Sequence, residues 1–191
     1  MLKISKETGI WSGINSMDMM LHHVHDSSLA NAICNFFTRE NAKTVGDFGC
    51  GTGFYTKQLL KSAIHSYAYD GNPNTFEISG GIGSVLDLSN IFRFPEPFDW
   101  VLSLQVGEHI PAQFESTYIS NLHENNKHGV VLSWAVEGQK GDGHVNCQNN
   151  EYIKDKFNQL GYSSDIISEQ KMRESSTAPW FKDTIMVFRK N

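Results

Sequence analysis

The chain has 191 residues, which is enough for one domain, so a second domain would have to be very small. Hydrophobic residues make up 39% of the chain and 16 residues are glycine, a composition typical of globular proteins that excludes extensive disorder. The formal charge is −5, and lysine and arginine form no run, so the sequence disfavours nucleic acid as a partner.

Cysteine usage and hydropathy indicate the compartment. Cys34, Cys50 and Cys147 are odd in number and widely spaced, which is neither a disulfide framework nor a CxxC metal motif and suits a reducing environment. No run approaches the roughly 18 apolar residues of a membrane-spanning helix, and the first residues show no apolar signal region. We therefore expect a soluble, cytoplasmic protein without membrane contact.

Short apolar segments alternate with helical stretches, which predicts an α/β fold with a largely parallel sheet. Apolar residues at helical spacing predict a helical region over residues 15–37, broken near Asp26, a suitable N-cap residue. The predicted strands span residues 44–48, 66–69, 82–86, 100–104, 130–135, 162–167 and 184–188. The other predicted helices span residues 55–62, 112–124, 150–159 and 168–174.

Two connections bear on the topology. The segments between the second and fourth predicted strands are too short for full helices, so we expect single turns or loops there. The last two strands can pair antiparallel if the helix at residues 168–174 does not complete a crossover.

The strongest motif is a glycine-rich turn after the first predicted strand. In the segment VGDFGCGTGFYT, residues 45–56, the glycines Gly49, Gly51 and Gly53 lie between an apolar strand and a predicted helix. Glycines let the backbone turn sharply and approach a ligand without a Cβ in the way, and the helix beyond offers unpaired N–H groups. The turn therefore predicts a cofactor site.

Two cofactor classes use such a turn. A dinucleotide site prefers G-x-G-x-x-G, but here the third glycine comes one residue early and Phe54 takes the place of the dinucleotide glycine. Asp47 completes an acidic-x-Gly-x-Gly-x-Gly pattern, which resembles the first motif of the class I S-adenosylmethionine (SAM)-dependent methyltransferases. A nicotinamide-dependent oxidoreductase remains an alternative.

The resemblance implies cofactor contacts at the ends of three strands. The turn from Gly49 to Gly53 would face the methionine and ribose, with Asp47 orienting the turn and the cofactor amine. Asp70 would accept the ribose hydroxyls, and Asp87 would meet the adenine amine. The residues expected at the cofactor are Asp47, Gly49, Cys50, Gly51, Gly53, Tyr55, Asp70, Gly71, Asn72, Asp87, Leu88 and Gln105.

The resemblance covers residues 44–190 and implies a doubly wound, Rossmann-like sheet of seven mostly parallel strands with an antiparallel last strand. Residues 44–191 would form the SAM-binding core. Residues 1–43 would form an N-terminal helical cap of the same domain, from which Trp11 or His25 could reach the ligand. Selectivity should then come from this cap and from the loop at residues 137–149.

Polar side chains follow the fourth and fifth predicted strands, beyond whose carboxyl ends the acceptor should sit. Glu108, His109 and His144 are the candidate catalytic residues there. An oxygen or nitrogen acceptor must lose a proton to be methylated, and an imidazole that titrates near ~6.5 can take it. His109 or His144 could therefore serve as a general base.

Two alternatives to the general base stay open. The series Gln105, Glu108, His109 and His144 resembles the Glu-x-x-Glu-His…His metal site of small-RNA 2′-O-methyltransferases, and such ligands suit Mg, Mn or Zn. Gln105 replaces a carboxylate of that site, which lowers the affinity for a metal, so a divalent metal is allowed but not favoured. In the third interpretation, His109 packs against or caps the following helix.

Other histidine and aromatic residues have a structural interpretation beside a functional one. The cluster HHVHD at residues 22–26 could bind a metal, but a surface or cofactor-covering helix is the preferred interpretation. Trp134, Trp180 and Phe181 could line an acceptor pocket, although large aromatic side chains lie more often in the core.

These motifs together predict a SAM-dependent methyltransferase that acts on an oxygen or nitrogen atom of a small molecule. The alternatives are a catalytically inactive cofactor-binding module and the nicotinamide-dependent oxidoreductase. The acceptor has no signature in the sequence, because acceptor pockets of this fold are built from variable loops.

Overall fold

A computed structural model describes residues 3–12 and 23–191. The strands are β1 (Lys3–Ile4), β2 (Trp11–Ser12), β3 (Thr44–Phe48), β4 (His65–Asp70), β5 (Gly83–Val85), β6 (Phe98–Leu104), β7 (Asn126–Ser133), β8 (Tyr162–Ser164) and β9 (Ile185–Lys190). The helices are α1 (Ser27–Arg39), α2 (Phe54–Lys61), α3 (Thr75–Ile78), α4 (Glu115–Glu124), α5 (Asn150–Gln159), α6 (Ile166–Ser175) and α7 (Pro179–Thr184). Short 3-10 turns lie at Gly107–His109 and Ala112–Phe114.

The main sheet has the strand order β5-β4-β3-β6-β7-β9-β8. The neighbouring strands from β5 to β7 pair parallel, whereas β9 pairs antiparallel with both β7 and β8. This confirms the expected Rossmann-like sheet with an antiparallel last strand. The strand order reverses between β3 and β6, and a crevice opens there beyond the carboxyl ends of the parallel strands.

Helices cover both faces of the sheet because the central strands are apolar on both sides. Trp100 and Leu102 of β6 pack in the cluster that includes α1 and α6, whereas Val101 between them packs in the cluster of α4 and α5. The strand ends are therefore left as the place for a ligand. Among the described residues, no helix combines the length and the apolar character needed to cross a membrane.

Most predicted connections are confirmed. The single helical turn α3 joins β4 to β5, and a loop joins β5 to β6. The predicted strand at residues 162–167 is wrong beyond Ser164, because Asp165 accepts a hydrogen bond from the backbone N–H of Ser168 at 3.0 Å and starts α6. Ile166 and Ile167 are 53% and 69% exposed, so their apolar character does not reflect burial.

Ahead of β3, the described chain contains a hairpin and one helix. Strands β1 and β2 pair antiparallel, a structure that the weak periodicity of these residues did not indicate. Helix α1 begins after Asp26, which accepts the N–H of Leu29 at 2.9 Å and thereby confirms the predicted N-cap. Residues 23–26 of the predicted helical region are not helical, and residues 15–22 lie outside the described residues.

Candidate active site

A cavity of about 390 Å³ lies beyond the carboxyl ends of β3, β4 and β6. Its walls include nine of the residues expected at the cofactor, namely Asp47, Gly49, Cys50, Tyr55, Asp70, Gly71, Asp87, Leu88 and Gln105. Three others, Gly51, Gly53 and Asn72, lie outside the lining. The residues predicted from the glycine motif therefore line the crevice at which the strand order reverses.

The glycine turn has a backbone that only glycine adopts without strain. Gly49, Gly51 and Gly53 have φ angles of 84°, 52° and 69°. A Cβ on Gly49 would lie 2.2 Å from a methyl carbon of Val106, and one on Gly51 would lie 2.5 Å from the ring of His23. Gly49 thus lines the cavity, whereas Gly51 and Gly53 shape the turn beneath it.

Asp47 is a buried carboxyl group at the floor of the cavity. It is 4% exposed and accepts a hydrogen bond from the hydroxyl of Thr56 at 2.5 Å. Burial raises the pKa of Asp47 to about 7, the hydrogen bonds from Thr56 lower it in part, and the charge of Asp70 raises it further. A cationic group in the cavity would favour the ionised form of this carboxyl.

Asp70 and Asp87 both line the cavity and both hold local turns. The two carboxylate oxygens of Asp70 accept the backbone N–H groups of Gly51 and Asn72, each at 2.9 Å. Asp87 accepts hydrogen bonds from Ser89 and Asn90, and it also lines the cavity. It therefore stabilises a turn and faces the cavity at the same time. Asn72 is buried in the turn outside the cavity.

Gln105 connects the end of β6 to the loop at residues 137–149. Its φ of 54° is in the left-handed region, which is strained for a non-glycine residue. The side-chain nitrogen donates to the hydroxyl of Ser133 at 3.1 Å, and the side-chain oxygen accepts from Gln139 at 3.0 Å.

The candidate catalytic residues come together at the other end of the cavity. His109 and His144 line it, with ring centroids 5.1 Å apart, whereas Glu108 lies behind them and is 0% exposed. The Nδ1 atom of His109 lies 3.2 Å from the carbonyl oxygen of Gly143, and that of His144 lies 3.0 Å from the carbonyl of Gln139. Because a carbonyl only accepts, each Nδ1 carries a hydrogen, and in the neutral form of either ring the lone pair lies on Nε2.

Burial changes the protonation of this group. It lowers the pKa of His109 to about 4, although the hydrogen bond to Gly143 raises this pKa in part. The imidazole of His109 is therefore neutral at neutral pH. It raises the pKa of Glu108 to about 8, while the nearby backbone groups of Glu108 and Ala135 act in the opposite direction. Neither carboxyl oxygen of Glu108 makes a hydrogen bond of normal geometry with a described residue.

The β1–β2 hairpin and the loop at residues 137–149 form the outer walls. The hairpin lines the cavity from Thr8 to Trp11, and Trp11 packs edge-on against His109 at 5.2 Å between ring centroids. The carbonyl of Glu108 accepts the N–H groups of Val145 and Asn146 at 2.9 and 3.0 Å, which holds the loop beside the turn that carries His109.

Residues 23–25 close a further side of the cavity. His25 stacks on Phe54 at 4.4 Å between ring centroids, and its Nε2 lies 2.7 Å from the hydroxyl of Thr52 in the glycine turn. In the predicted histidine cluster, His22 lies outside the described residues. Among all the described residues, one group has potential ligand atoms close enough together to bind a metal ion, and it consists of Glu108, His109 and His144.

The aromatic predictions have different outcomes. Trp180 and Phe181 line the cavity. Trp134 does not, because it is 0% exposed and its indole N–H donates to the carbonyl of Asn146 at 2.6 Å. It therefore supports the loop from behind.

Comparison with known proteins gives structural relatives only, since no family model and no curated protein matches the chain. A SAM-dependent methyltransferase from Clostridium acetobutylicum ATCC 824 is 12% identical, with a TM-score of 0.68 over 92% of this chain and 99% of its own. Magnesium protoporphyrin IX methyltransferase from Synechocystis PCC 6803, crystallised with bound SAM, is 17% identical, with a TM-score of 0.64 over 85% of this chain and 78% of its own. The chain has the class I SAM-dependent methyltransferase fold.

The methyltransferase fold does not by itself fix the reaction. The cyclase SpnF shares it with this chain, at 15% identity and a TM-score of 0.62 over 85% of this chain and 79% of its own. Function in this fold therefore has to be inferred from the site.

Proposed function

We propose that the protein is a SAM-dependent methyltransferase that acts on an oxygen or nitrogen atom of a small molecule. The observation that carries this proposal is the composition of the cavity. One end holds the glycine turn and Asp70, and the other end holds the imidazoles of His109 and His144. The first end is suited to the cofactor, and the second end to an acceptor that must lose a proton.

Methyl transfer is an in-line displacement at the sulfonium methyl group. A lone pair of the acceptor forms a bond to the methyl carbon, the carbon–sulfur bond breaks, and its electron pair stays on the sulfur. The acceptor proton would pass to an imidazole Nε2 at the acceptor end. His144 is the preferred base, because the lowered pKa of His109 makes that imidazole a weaker proton acceptor. Most of the rate acceleration would come from the positioning of the two reactants.

The residues ahead of β3 would act as a cap over this site. The hairpin residues Thr8 to Trp11 and the contact of His25 with Thr52 lie at the cavity wall, which supports this role. A cavity with these walls favours a small acceptor over a polymer. The relative from Synechocystis is named for a small-molecule acceptor, magnesium protoporphyrin IX. The three free cysteines are compatible with a cytoplasmic location.

A catalytically inactive cofactor-binding module is the second candidate. Its support is limited to the fact that SpnF, which has the same fold, is named a cyclase and not a methyltransferase. SAM binding without methyl transfer to any component of a cell extract would support this candidate against the first.

Two measurements test the proposed function. Isothermal titration calorimetry should detect SAM binding to the purified chain, with S-adenosylhomocysteine as a competitor. Incubation with methyl-labelled SAM and a metabolite extract should then transfer label to a small molecule. The absence of SAM binding at about millimolar cofactor, in protein shown to be folded by circular dichroism, would contradict the proposal.

A further inference from the structure

The geometry points to an uncharged aromatic acceptor, a phenol or an N–H heterocycle, held by Trp11 and Trp180 at the end of the cavity that contains His109 and His144. This inference rests on the proposed function and narrows its acceptor. Both indoles line the cavity and are partly exposed, although they belong to different elements, β2 and α7. Large rings that stay open to a cavity are suited to contact a ligand.

Both indoles are held beside the segment that runs from Gln105 to His109. The ring of Trp11 packs edge-on against the imidazole of His109, with 5.2 Å between the centroids. At the other end of this segment, the side-chain nitrogen of Gln105 donates to the hydroxyl of Thr184 at 3.4 Å, and this hydroxyl donates to the carbonyl of Trp180 at 2.8 Å. Two parts of the chain that are distant in sequence thus place an indole beside the same turn.

Further rings complete the wall at this end of the cavity. The imidazoles of His109 and His144 lie 5.1 Å apart, and Phe181 lies beside Trp180 with 5.9 Å between the centroids. All four residues line the cavity. A planar aromatic ligand gains stacked or edge-on contacts with such rings, whereas an aliphatic ligand of the same size gains only the burial of its surface. The wall therefore favours an aromatic acceptor.

The charges of the cavity wall favour an acceptor without charge. Among the described residues of the wall, Lys140 is the one lysine or arginine, and it is exposed, as is the oppositely charged Asp142 in the same loop. Residues 1–2 and 13–22, outside the described ranges, contain neither lysine nor arginine. A carboxylate or phosphate on the acceptor would therefore enter the cavity without a buried cation as its partner, which is unfavourable.

The acidity of a phenol also matches the proposed base. A phenolic hydroxyl titrates near ~10, as that of tyrosine does, whereas an aliphatic alcohol is a far weaker acid. An imidazole therefore takes the proton of a phenol more readily. In the transfer, the phenolic oxygen forms a bond to the methyl carbon of SAM, the electron pair of the carbon–sulfur bond stays on the sulfur, and the hydroxyl proton passes to Nε2 of His144.

Binding of three related probes tests this inference without knowledge of the natural acceptor. The full chain is saturated with S-adenosylhomocysteine and titrated at about pH 7 with 2-naphthol, with its saturated analogue decahydro-2-naphthol or with the anionic 6-hydroxy-2-naphthoate. Ligand-observed NMR should give a dissociation constant for 2-naphthol of about 1 mM or less. 2-Naphthol should bind at least about fivefold more tightly than the saturated probe and at least about tenfold more tightly than the anionic probe.

Substitutions of the two indoles locate the binding. Trp11→Ala and Trp180→Ala should each weaken the binding of 2-naphthol by about tenfold, and Trp180→Phe, which keeps an aromatic ring, should weaken it less. The matched control is Phe76→Ala, which removes an aromatic side chain that is 67% exposed and lies outside the cavity wall, and which should leave the affinity unchanged. Circular dichroism of each variant shows whether it is folded.

Each outcome has a defined meaning. Equal affinity for 2-naphthol and decahydro-2-naphthol, tighter binding of the anionic probe, or 2-naphthol binding that neither Trp11→Ala nor Trp180→Ala weakens overturns the aromatic acceptor. If S-adenosylhomocysteine binds in the same samples, the methyltransferase proposal survives that result. If neither S-adenosylhomocysteine nor SAM binds, the methyltransferase proposal is refuted, and the same probes on the free chain decide the aromatic site. If one of the two variants does not fold, the other variant and the probe ratios of the wild type decide.

Discussion

Replacing Asp47 with asparagine should stabilise the protein in the absence of cofactor and weaken its binding of SAM. Asp47 is 4% exposed, and burial raises its pKa from 3.8 to about 7. Asparagine has nearly the same shape and still offers an oxygen to the hydroxyl of Thr56. The variant therefore removes the ionisable group without opening a cavity.

The sign follows from proton binding. Between pH 3.8 and about pH 7 the folded protein holds a proton on Asp47 that the unfolded chain has released. The free energy of unfolding of the wild type therefore falls as the pH rises through this range. A difference of about three pKa units corresponds to roughly 4 kcal/mol above pH 7, and about 3 kcal/mol of this develops between about pH 5 and pH 8. The free energy of unfolding of Asp47→Asn should not fall over this pH range.

Urea unfolding followed by circular dichroism measures the effect. The free energies of unfolding of wild type and Asp47→Asn should diverge from about pH 5 to pH 8, with the variant the more stable at the upper end. Asp183→Asn, which alters an exposed aspartate, controls for the loss of one negative charge. In calorimetry at about pH 8, Asp47→Asn should bind SAM less tightly, since it no longer offers a charge to the cofactor amine.

A constant difference between wild type and Asp47→Asn across this pH range would show that burial does not raise the pKa of Asp47. Equal SAM affinity of both proteins would show that the carboxylate does not meet the cofactor amine. These two results are independent, because the first concerns the empty cavity and the second the occupied one.

Three further substitutions have defined effects. Gly49→Ala places a Cβ 2.2 Å from Val106 at a φ of 84°, so it should lower the melting temperature by several degrees, equivalent to about 1–3 kcal/mol, and abolish SAM binding in calorimetry. His144→Ala should lower turnover by at least about 100-fold while SAM affinity changes little, and equal losses in both would mean a structural role. Asp26→Ala removes the acceptor of four hydrogen bonds, among them those that tie α1 to the segment before α7, and should cost about 3 kcal/mol in urea unfolding. An Asp26→Ala variant as stable as the wild type would contradict the importance of these hydrogen bonds.

Sequence patterns predicted the regular part of the fold well, because those elements are held by local rules. The strand at residues 44–48 and the helix at residues 150–159 match the structure at both ends. The segment after Ser164 did not, since the pair Ile166 and Ile167 suggests a strand while the cap at Asp165 starts a helix. A local hydrogen bond overrode the propensity of two exposed apolar residues.

The part of the cavity wall at the glycine turn was also predictable from sequence, and the part at His109 and His144 only in part. A contiguous motif placed Asp47 and Gly49 because turn geometry is encoded within a few residues. The β1–β2 hairpin could not be predicted, since its strands have two residues each and it is positioned by a close contact of Gly9 with the backbone of His109. The sequence left both a pocket and a core position open for Trp134, and only the folded loop shows that its indole N–H donates to the carbonyl of Asn146.

The direction of β9 has a practical consequence for work on this protein. Because β9 runs antiparallel to β7, it ends on the side of the sheet at which the parallel strands begin. The N–H of Asn191 there donates to the carbonyl of Gly161. The β1–β2 hairpin lies on the opposite side, at the carboxyl ends of the parallel strands, in the wall of the cavity. An affinity tag or surface linker attached after Asn191 would lie away from the cavity, whereas one fused ahead of the hairpin would lie beside the cavity wall.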